Sequence, residues 1–316
     1  MNKVCILGGG PAGSSAAIAA CQEGANVQIM ERSQFPRHKV CGEFLSPGIE
    51  QALDRLGLGS SFRELRPTRI QRMRICIGAT EKSALLREVG YGLSRHSFDS
   101  WLWREAMQAG ATHVQTGEPN VIATGRNSRV ARGGRLFGFK AHFRGPVDDA
   151  VELYFQGSTY VGLNCVEDGL TNVCGIAPEE DLRSCHFDVD LFLHQHRPVR
   201  ARLGPLRRNW DWIFTGPLEF RNGLKTPLAA YAAGDAVSFV DPFTGSGLLC
   251  AVMTGSLAGK SAAQGIPIAQ YVEQCAGLLR RPFQISSVLR SIAQTRVAGP
   301  LLRLTPANLI FNWTRP

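Results

Sequence analysis

A chain of 316 residues is long enough to bury a sizeable core and to divide into two lobes, and its 44% hydrophobic and 19% charged content is that of a globular protein. The longest stretch without charge, Pro242 to Gly259, is too rich in Gly, Ser and Thr for a membrane span, so no integral membrane segment is expected. Nine cysteines lie scattered without a CxxC pair, which points away from a disulfide framework and a zinc site and fits reduced thiols in a cytoplasm. The net charge of +9 is densest at Arg197, Arg200, Arg202, Arg207 and Arg208. That group reads as a solvated face, with a phosphate-bearing cosubstrate or an anionic membrane surface as its functional alternatives. No aromatic-interleaved module accompanies it, so nucleic acid is not expected.

In chain order, Val4 to Arg32 (VCILGGGPAGSSAAIAACQEGANVQIMER) reads as a buried strand, a glycine turn, a helix and a second, parallel strand. Gly8, Gly10 and Gly13 have GxGxxG spacing within GGGPAG, whose Pro11 and Ala12 open the helix. Gly8 suits the tight turn, Gly10 the approach of a pyrophosphate, and Gly13 the packing of helix on strand. The free N–H groups at the helix start then meet the phosphates. Glu31, at the end of the second strand, is placed to accept hydrogen bonds from ribose hydroxyls. This is the arrangement of a nucleotide-binding unit.

The loop FPRHKVCGEFLSPG, Phe35 to Gly48, carries Arg37, Lys39, Cys41 and Glu43. A helix is expected at Gly48–Leu56, a half-exposed strand at Thr68–Cys76 with Leu85–Val89 as its partner, and a helix capped by Ser97 that buries Phe98, Trp101, Leu102 and Ala106. After a short strand at Val121, three runs at Val151–Phe155, Tyr160–Val166 and Leu170–Ile176 predict an antiparallel sheet, the last two joined by a turn at Glu167–Gly169. Asp188 and Asp190 precede one helix, Leu191–Arg202; Leu228–Ala233 returns as a strand, and Leu248–Ala263 is an apolar helix of small residues. His194 and His196 are two apart on a helix and do not share a face, so no metal site is expected. Trp210 and Trp212 read as core or pocket aromatics.

GGGPAG, Glu31-Arg32, the Phe35–Gly48 loop, LSRHSFDSWL and YAAGDAVSFVDPFTGSGLLCAVMTG together resemble the FAD-dependent oxidoreductases that include geranylgeranyl reductases, aromatic-ring hydroxylases and flavin halogenases. The resemblance implies an α/β fold: a Rossmann-like FAD-binding domain of the glutathione-reductase or hydroxylase type (1–67, 93–135 and 224–265), an antiparallel β substrate lobe (68–92 and 136–223) and a C-terminal helical region (266–316). It also implies that Arg32 neighbours the nucleotide with Glu31, that Arg37 lies near the pyrophosphate, and that Cys41 and Gly42 lie close to the flavin. Arg95 would touch FAD from the strand before its helix. Asp235, after Gly234, would bind the ribitol chain, and Pro242 with Gly245, Ser246 and Gly247 would line the isoalloxazine. The N–H groups of Gly245 to Leu248 would face negative charge on the reduced ring.

Ring hydroxylases of this kind usually carry Asp-Gly where this chain has Thr124-Gly125, a departure that bears on nicotinamide binding. The segment from Ala111 to Val121 is also too short for the strands expected there. The expected cofactor is FAD, reduced transiently by NADPH or NADH or by an electron-carrier protein. The leading expectation is a flavin monooxygenase acting on a hydrophobic, aromatic or polyketide-derived small molecule. Saturation of an isoprenoid double bond, as in geranylgeranyl reductases, is the alternative, and a flavin-binding protein without turnover is the alternative of another class. Leu301, Leu302, Leu309 and Ile310, amid arginines, read as packing on the lobe, with peripheral lipid contact as the other possibility.

Overall fold

The glycine turn brings a strand and a helix closer together than side chains would permit. In the computed structural model, which describes residues 2–78, 80–126, 135–218, 229–237 and 245–279, β1 (Lys3–Leu7) passes into α1 (Pro11–Gln22) and returns as β2 (Asn26–Met30). A Cβ on Gly8 (φ +107°) would stand 2.3 Å from the Ala123 carbonyl oxygen, and one on Gly13 would stand 1.7 Å from that of Gly8. The following loop supplies an unforeseen strand, β3 (Phe44–Leu45), before α2 (Ile49–Asp54), which Gly48 opens at φ +90°, and α3 (Gly59–Glu64). β4 (Thr68–Ile77) and β5 (Thr80–Gly92) pair as expected, the second running well beyond Leu85–Val89.

α4 (Arg95–Gln108) begins upstream of the cap read at Ser97. Ser94 is the N-cap, its hydroxyl accepting the N–H of Ser97, while the hydroxyl of Ser97 donates 2.6 Å to Glu167 and the N–H of Ser94 donates 2.7 Å to the same carboxylate. Glu167 thus holds Ser97 outside the capping role, and Arg95 falls in the first turn of the helix. Ser94→Ala is expected to lower stability by about 1 kcal/mol, read as a shift of the urea unfolding midpoint.

The trimmed segment holds β6 (Thr112–His113), and β7 (Val121–Ile122) follows. Next come β8 (Leu136–Arg144), β9 (Ala150–Gln156), β10 (Thr159–Cys165) and β11 (Leu170–Pro178); the turn before β11 uses Asp168 at φ +58° and Gly169 at φ +66°. The helix expected at Leu191–Arg202 is broken. After α5 (Glu179–Ser184), α6 (Val189–His194), capped by Asp188, stops and α7 (Arg197–Leu203) restarts, because Pro198 has no N–H for His194 and its ring would meet that carbonyl. β12 (Arg207–Arg208), β13 (Ile213–Leu218), β14 (Tyr231–Ala232), α8 (Gly247–Gln264) and a helix over 268–279 complete the described chain. The C-terminal region beyond 279 lies outside the described residues.

Five strands form a parallel sheet in the order β14-β7-β1-β2-β6. α1 and α8 pack together on it: Cβ atoms on Gly255 and Gly259 would lie 2.1 and 2.0 Å from the carbonyl oxygens of Ala12 and Ala16. The second sheet runs β12-β8-β11-β10-β9-β4-β5-β3, with β13 also on β8, and is antiparallel except for the parallel β4–β9 pair.

The register of the second sheet sorts its side chains. Phe139, Ala141, Phe143, Val161, Leu163 and Val173 pack with α5 to α7 in one core, whereas Lys140, His142, Asn164, Asn172 and Cys174 occupy the opposite face. The arginine group is only partly solvated. Arg202 is 16% exposed and pairs at 2.8 Å with the buried Glu152, which Arg74 also holds at 3.0 Å.

Candidate active site

Backbone N–H groups and a buried carboxylate build the first wall of a cleft. Glu31 accepts the N–H of Gly9 and of Ser33, both at 2.8 Å, and pairs with Arg37 at 3.5 Å. Burial works to raise its pKa, but those two N–H groups and Arg37 hold the carboxyl below its ordinary value. Gly10 caps α1 without a side-chain hydrogen bond, and a Cβ there would meet nothing within 4 Å among the described residues. This is the geometry that accepts a dinucleotide pyrophosphate, and the residues fit FAD: the backbone can be approached at Gly10, and Glu31 stands at the edge of the turn. Pro11, Ala12 and Gly13 are buried in that first turn, while Arg32 is exposed beside Glu31.

The second wall is the start of α8. Gly245 (φ +63°) lies against Phe44, 2.7 Å from where its Cβ would be, so β3 stands directly beside the start of α8. Ser246 is the N-cap, and Gly247 is exposed, with nothing among the described residues within 4 Å of an added Cβ. Gly234 (φ +61°) donates its N–H to Thr254 at 2.9 Å and leads into the short turn that carries Asp235. Burial raises the carboxyl of Asp235 against the opposing charges of Lys39, Arg95 and Arg126. Pro242 lies outside the described residues. Thr124 is exposed, and Gly125 (φ +71°) lies near the ammonium of Lys39.

Arg95 is buried. Its guanidinium makes a bidentate pair with Asp99 at 2.6 and 2.7 Å, and its N–H donates 2.6 Å to Glu43. The expected place on the strand before the helix is corrected: Arg95 is the first residue of α4. Burial alone would lower its pKa, yet Asp99 and the neighbouring Cys41 raise it. Cys41 is partly buried, and its sulfur accepts the N–H of Glu43 at 3.4 Å.

Sequence reasoning missed the most unusual group. Glu43, at φ +53° and with no side-chain exposure, accepts hydrogen bonds from Lys140 and, at 2.6 Å, from His142. Burial would raise the carboxyl; Lys140 and His142 outweigh it and hold it below its ordinary value. Asn172 donates to the carbonyls of Cys41 and Gly42 at 3.1 and 2.8 Å, which fixes that backbone over the cluster. The two tryptophans separate: Trp212 packs on Phe139 and Phe143, whereas Trp210 lies against His142 (5.1 Å between ring centroids) and His38 (4.7 Å). The signal was present in GFKAHF, where Lys140 and His142 alternate with Phe139, Ala141 and Phe143. A charged residue at every second place of an otherwise buried strand marks a polar inner face.

Residues 1–122 match the FAD binding domain family. The chain is 46% identical over 57 residues, 14% of the relative's length, to a menaquinone reductase from Mycolicibacterium smegmatis (strain ATCC 700084 / mc(2)155) and 18% of this chain is covered. It is 44% identical over 57 residues, 18% of this chain and 14% of the relative, to 6-methylpretetramide 4-monooxygenase from Streptomyces rimosus. A longer match, 26% over 317 positions, covers 83% of this chain and 77% of digeranylgeranylglycerophospholipid reductase 1 from Methanothermobacter thermautotrophicus. Among solved structures, the flavin-dependent brominase Bmp2 superposes with a TM-score of 0.78 at 16% identity, covering 99% of this chain and 93% of the other, which shows a shared fold.

Proposed function

We propose that this chain, whose residues 1–122 match the FAD binding domain family, is an FAD-dependent oxidoreductase that saturates carbon–carbon double bonds of a hydrophobic, isoprenoid-like small molecule. The observation that carries this reading is the buried Glu43, Lys140 and His142 cluster behind Cys41 and Gly42. Bound FAD supplies the hydride for such a reduction. The second hydrogen arrives as a proton, which a protein group must deliver inside a site closed to water. Oxygen transfer in hydroxylation has no such obligatory protein acid. The match over most of the chain to an archaeal reductase supports the same choice. Hydroxylation of an aromatic or polyketide-derived metabolite is the second reading, supported by the shorter match to a monooxygenase.

In this reading Gly8, Gly10, Gly13 and Glu31 hold the adenosine and pyrophosphate, with Arg32 and Arg37 beside them. Asp235 holds the ribitol, and Cys41, Gly42 and Gly245 to Leu248 enclose the ring. Glu31→Ala is expected to weaken FAD binding about tenfold or more, since it removes a charged hydrogen-bond acceptor, as measured by titrating the apoprotein with FAD fluorescence. The electron donor is NADPH, NADH or a carrier protein, with Thr124 at the place of the hydroxylases' Asp favouring the carrier. A cytoplasmic location is supported by nine free cysteines. Among the described residues no helix is long and apolar enough to cross a membrane.

The test is anaerobic turnover with a polyisoprenoid and each donor in turn. A product that gains two hydrogens under nitrogen supports the reductase. Oxygen consumed in step with substrate would move the assignment to hydroxylation.

A further inference from the structure

Burying Glu43, Lys140 and His142 together is not explained by stability. Their side chains are at most 2% exposed, on a sheet whose other face is filled by Phe139, Ala141 and Phe143, and replacing a buried ionic group by apolar residues is often neutral or stabilising. The cluster is also connected at both ends. Toward solvent, the His142 ring meets the exposed His38 edge-on at 5.5 Å, and His38 stacks on His96 at 5.0 Å, with Trp210 covering the junction. Toward the cleft, Glu43 adjoins the Cys41–Gly42 backbone that Asn172 clamps, and the Asn172 side-chain oxygen is buried with no partner among the described residues.

The neighbouring titratable groups narrow the route. From its own loop the cluster faces His38, Lys39 and Cys41; from α4, Arg95 and His96; and from β11, Cys174. Arg95 is held charged by Asp99, and burial pushes the Cys174 thiol up to about 12, so neither exchanges a proton near neutrality. Burial, and then the charge of Lys140, lower the His38 pKa, which leaves it a neutral imidazole at pH 7 that is able to accept a proton from water.

We propose that His38, His142 and Glu43, with Lys140 as fixed counter-charge, form a proton relay linked to the redox state of the cleft. His38 takes a proton from solvent and passes it to the His142–Glu43 pair, which stores it behind Cys41 and Gly42 while bound FAD is reduced and releases it on reoxidation. Only N–H and O–H bonds form and break along the chain. The two electrons come from an external donor of the nicotinamide or ferredoxin class. The inference rests on the FAD reading above and adds the residues that carry the proton.

The test follows the midpoint potential of the bound flavin against pH, and proton uptake with an indicator dye after flash photoreduction, in wild type, His142→Gln and His38→Gln. His142→Gln is expected to lose one proton per FAD from the pH dependence of the potential. His38→Gln should keep the count and slow uptake at least fivefold. Should His142→Gln fail to fold, the rate in His38→Gln decides alone. Bound FAD with unchanged count and rate in the variants overturns the relay only, whereas a wild-type protein that binds no FAD overturns the reading of the cleft and the relay with it.

Discussion

Glu43→Ala is expected to destabilise the protein by about 3–5 kcal/mol, because it strands the ammonium of Lys140 in a site with no solvent access. The carboxylate is the hydrogen-bond acceptor for both Lys140 and His142 of β8, and it also receives the N–H of Arg95 of α4 at 2.6 Å, so one substitution deprives three donors on two elements. Glu43→Gln keeps the shape and isolates the charge. The folded pKa of Glu43 lies below its ordinary value of about 4.3, so its contribution is complete above that value and is lost as pH falls through the depressed one. Wild type should therefore lose stability on acidification through the carboxylate range. Glu43→Gln should start lower and show a shallower loss over the same window. Urea midpoints at pH 7, 4 and 3 measure both effects, and parallel pH curves for the two proteins would contradict the assignment.

A second large effect is expected at the contact of α1 with α8. Gly259→Val should cost about 3 kcal/mol or more and abolish FAD binding, since even a Cβ would stand 2.0 Å from the carbonyl oxygen of Ala16. A backbone atom cannot swing aside as a side chain does. α8 must move off α1, and the glycine turn at the head of α1 moves with it. Gly277→Ala is the control. It lies exposed on the helix over 268–279 with nothing within 4 Å of the added Cβ, and it should be neutral or stabilise by up to about 1 kcal/mol. Thermal unfolding and FAD titration on both variants separate a packing failure from a general intolerance of glycine replacement.

How much of this was legible beforehand depended on the range of the interaction involved. The turn at Gly8 to Gly13, the acid at Glu31 and the hairpin at Glu167 to Gly169 are local devices, specified by residues a few places apart, and the structure has them where the sequence placed them. Errors arose where a distant group overrode a local preference. Ser97 is a sound capping residue by type, but Glu167, 70 positions away in the chain, holds its hydroxyl and leaves the cap to Ser94. The break between α6 and α7 lies at Pro198, a local signal that the apolar pattern continuing across it conceals.

The sequence by itself determined that a parallel βαβ unit begins the chain, that a nucleotide-binding glycine turn lies at its centre and that an antiparallel sheet follows, because periodicity and turn chemistry act over short spans. Only the tertiary structure decided what stands behind the cleft. Glu43 comes from a loop, Lys140 and His142 from one strand of the second sheet, Asn172 from its neighbour and Arg95 from a helix. Nothing local pairs a carboxylate with a lysine 97 positions away. That pairing is created by the register of β8 against β11 and by the left-handed turn at Glu43, which aim all three ionisable groups into one dry space.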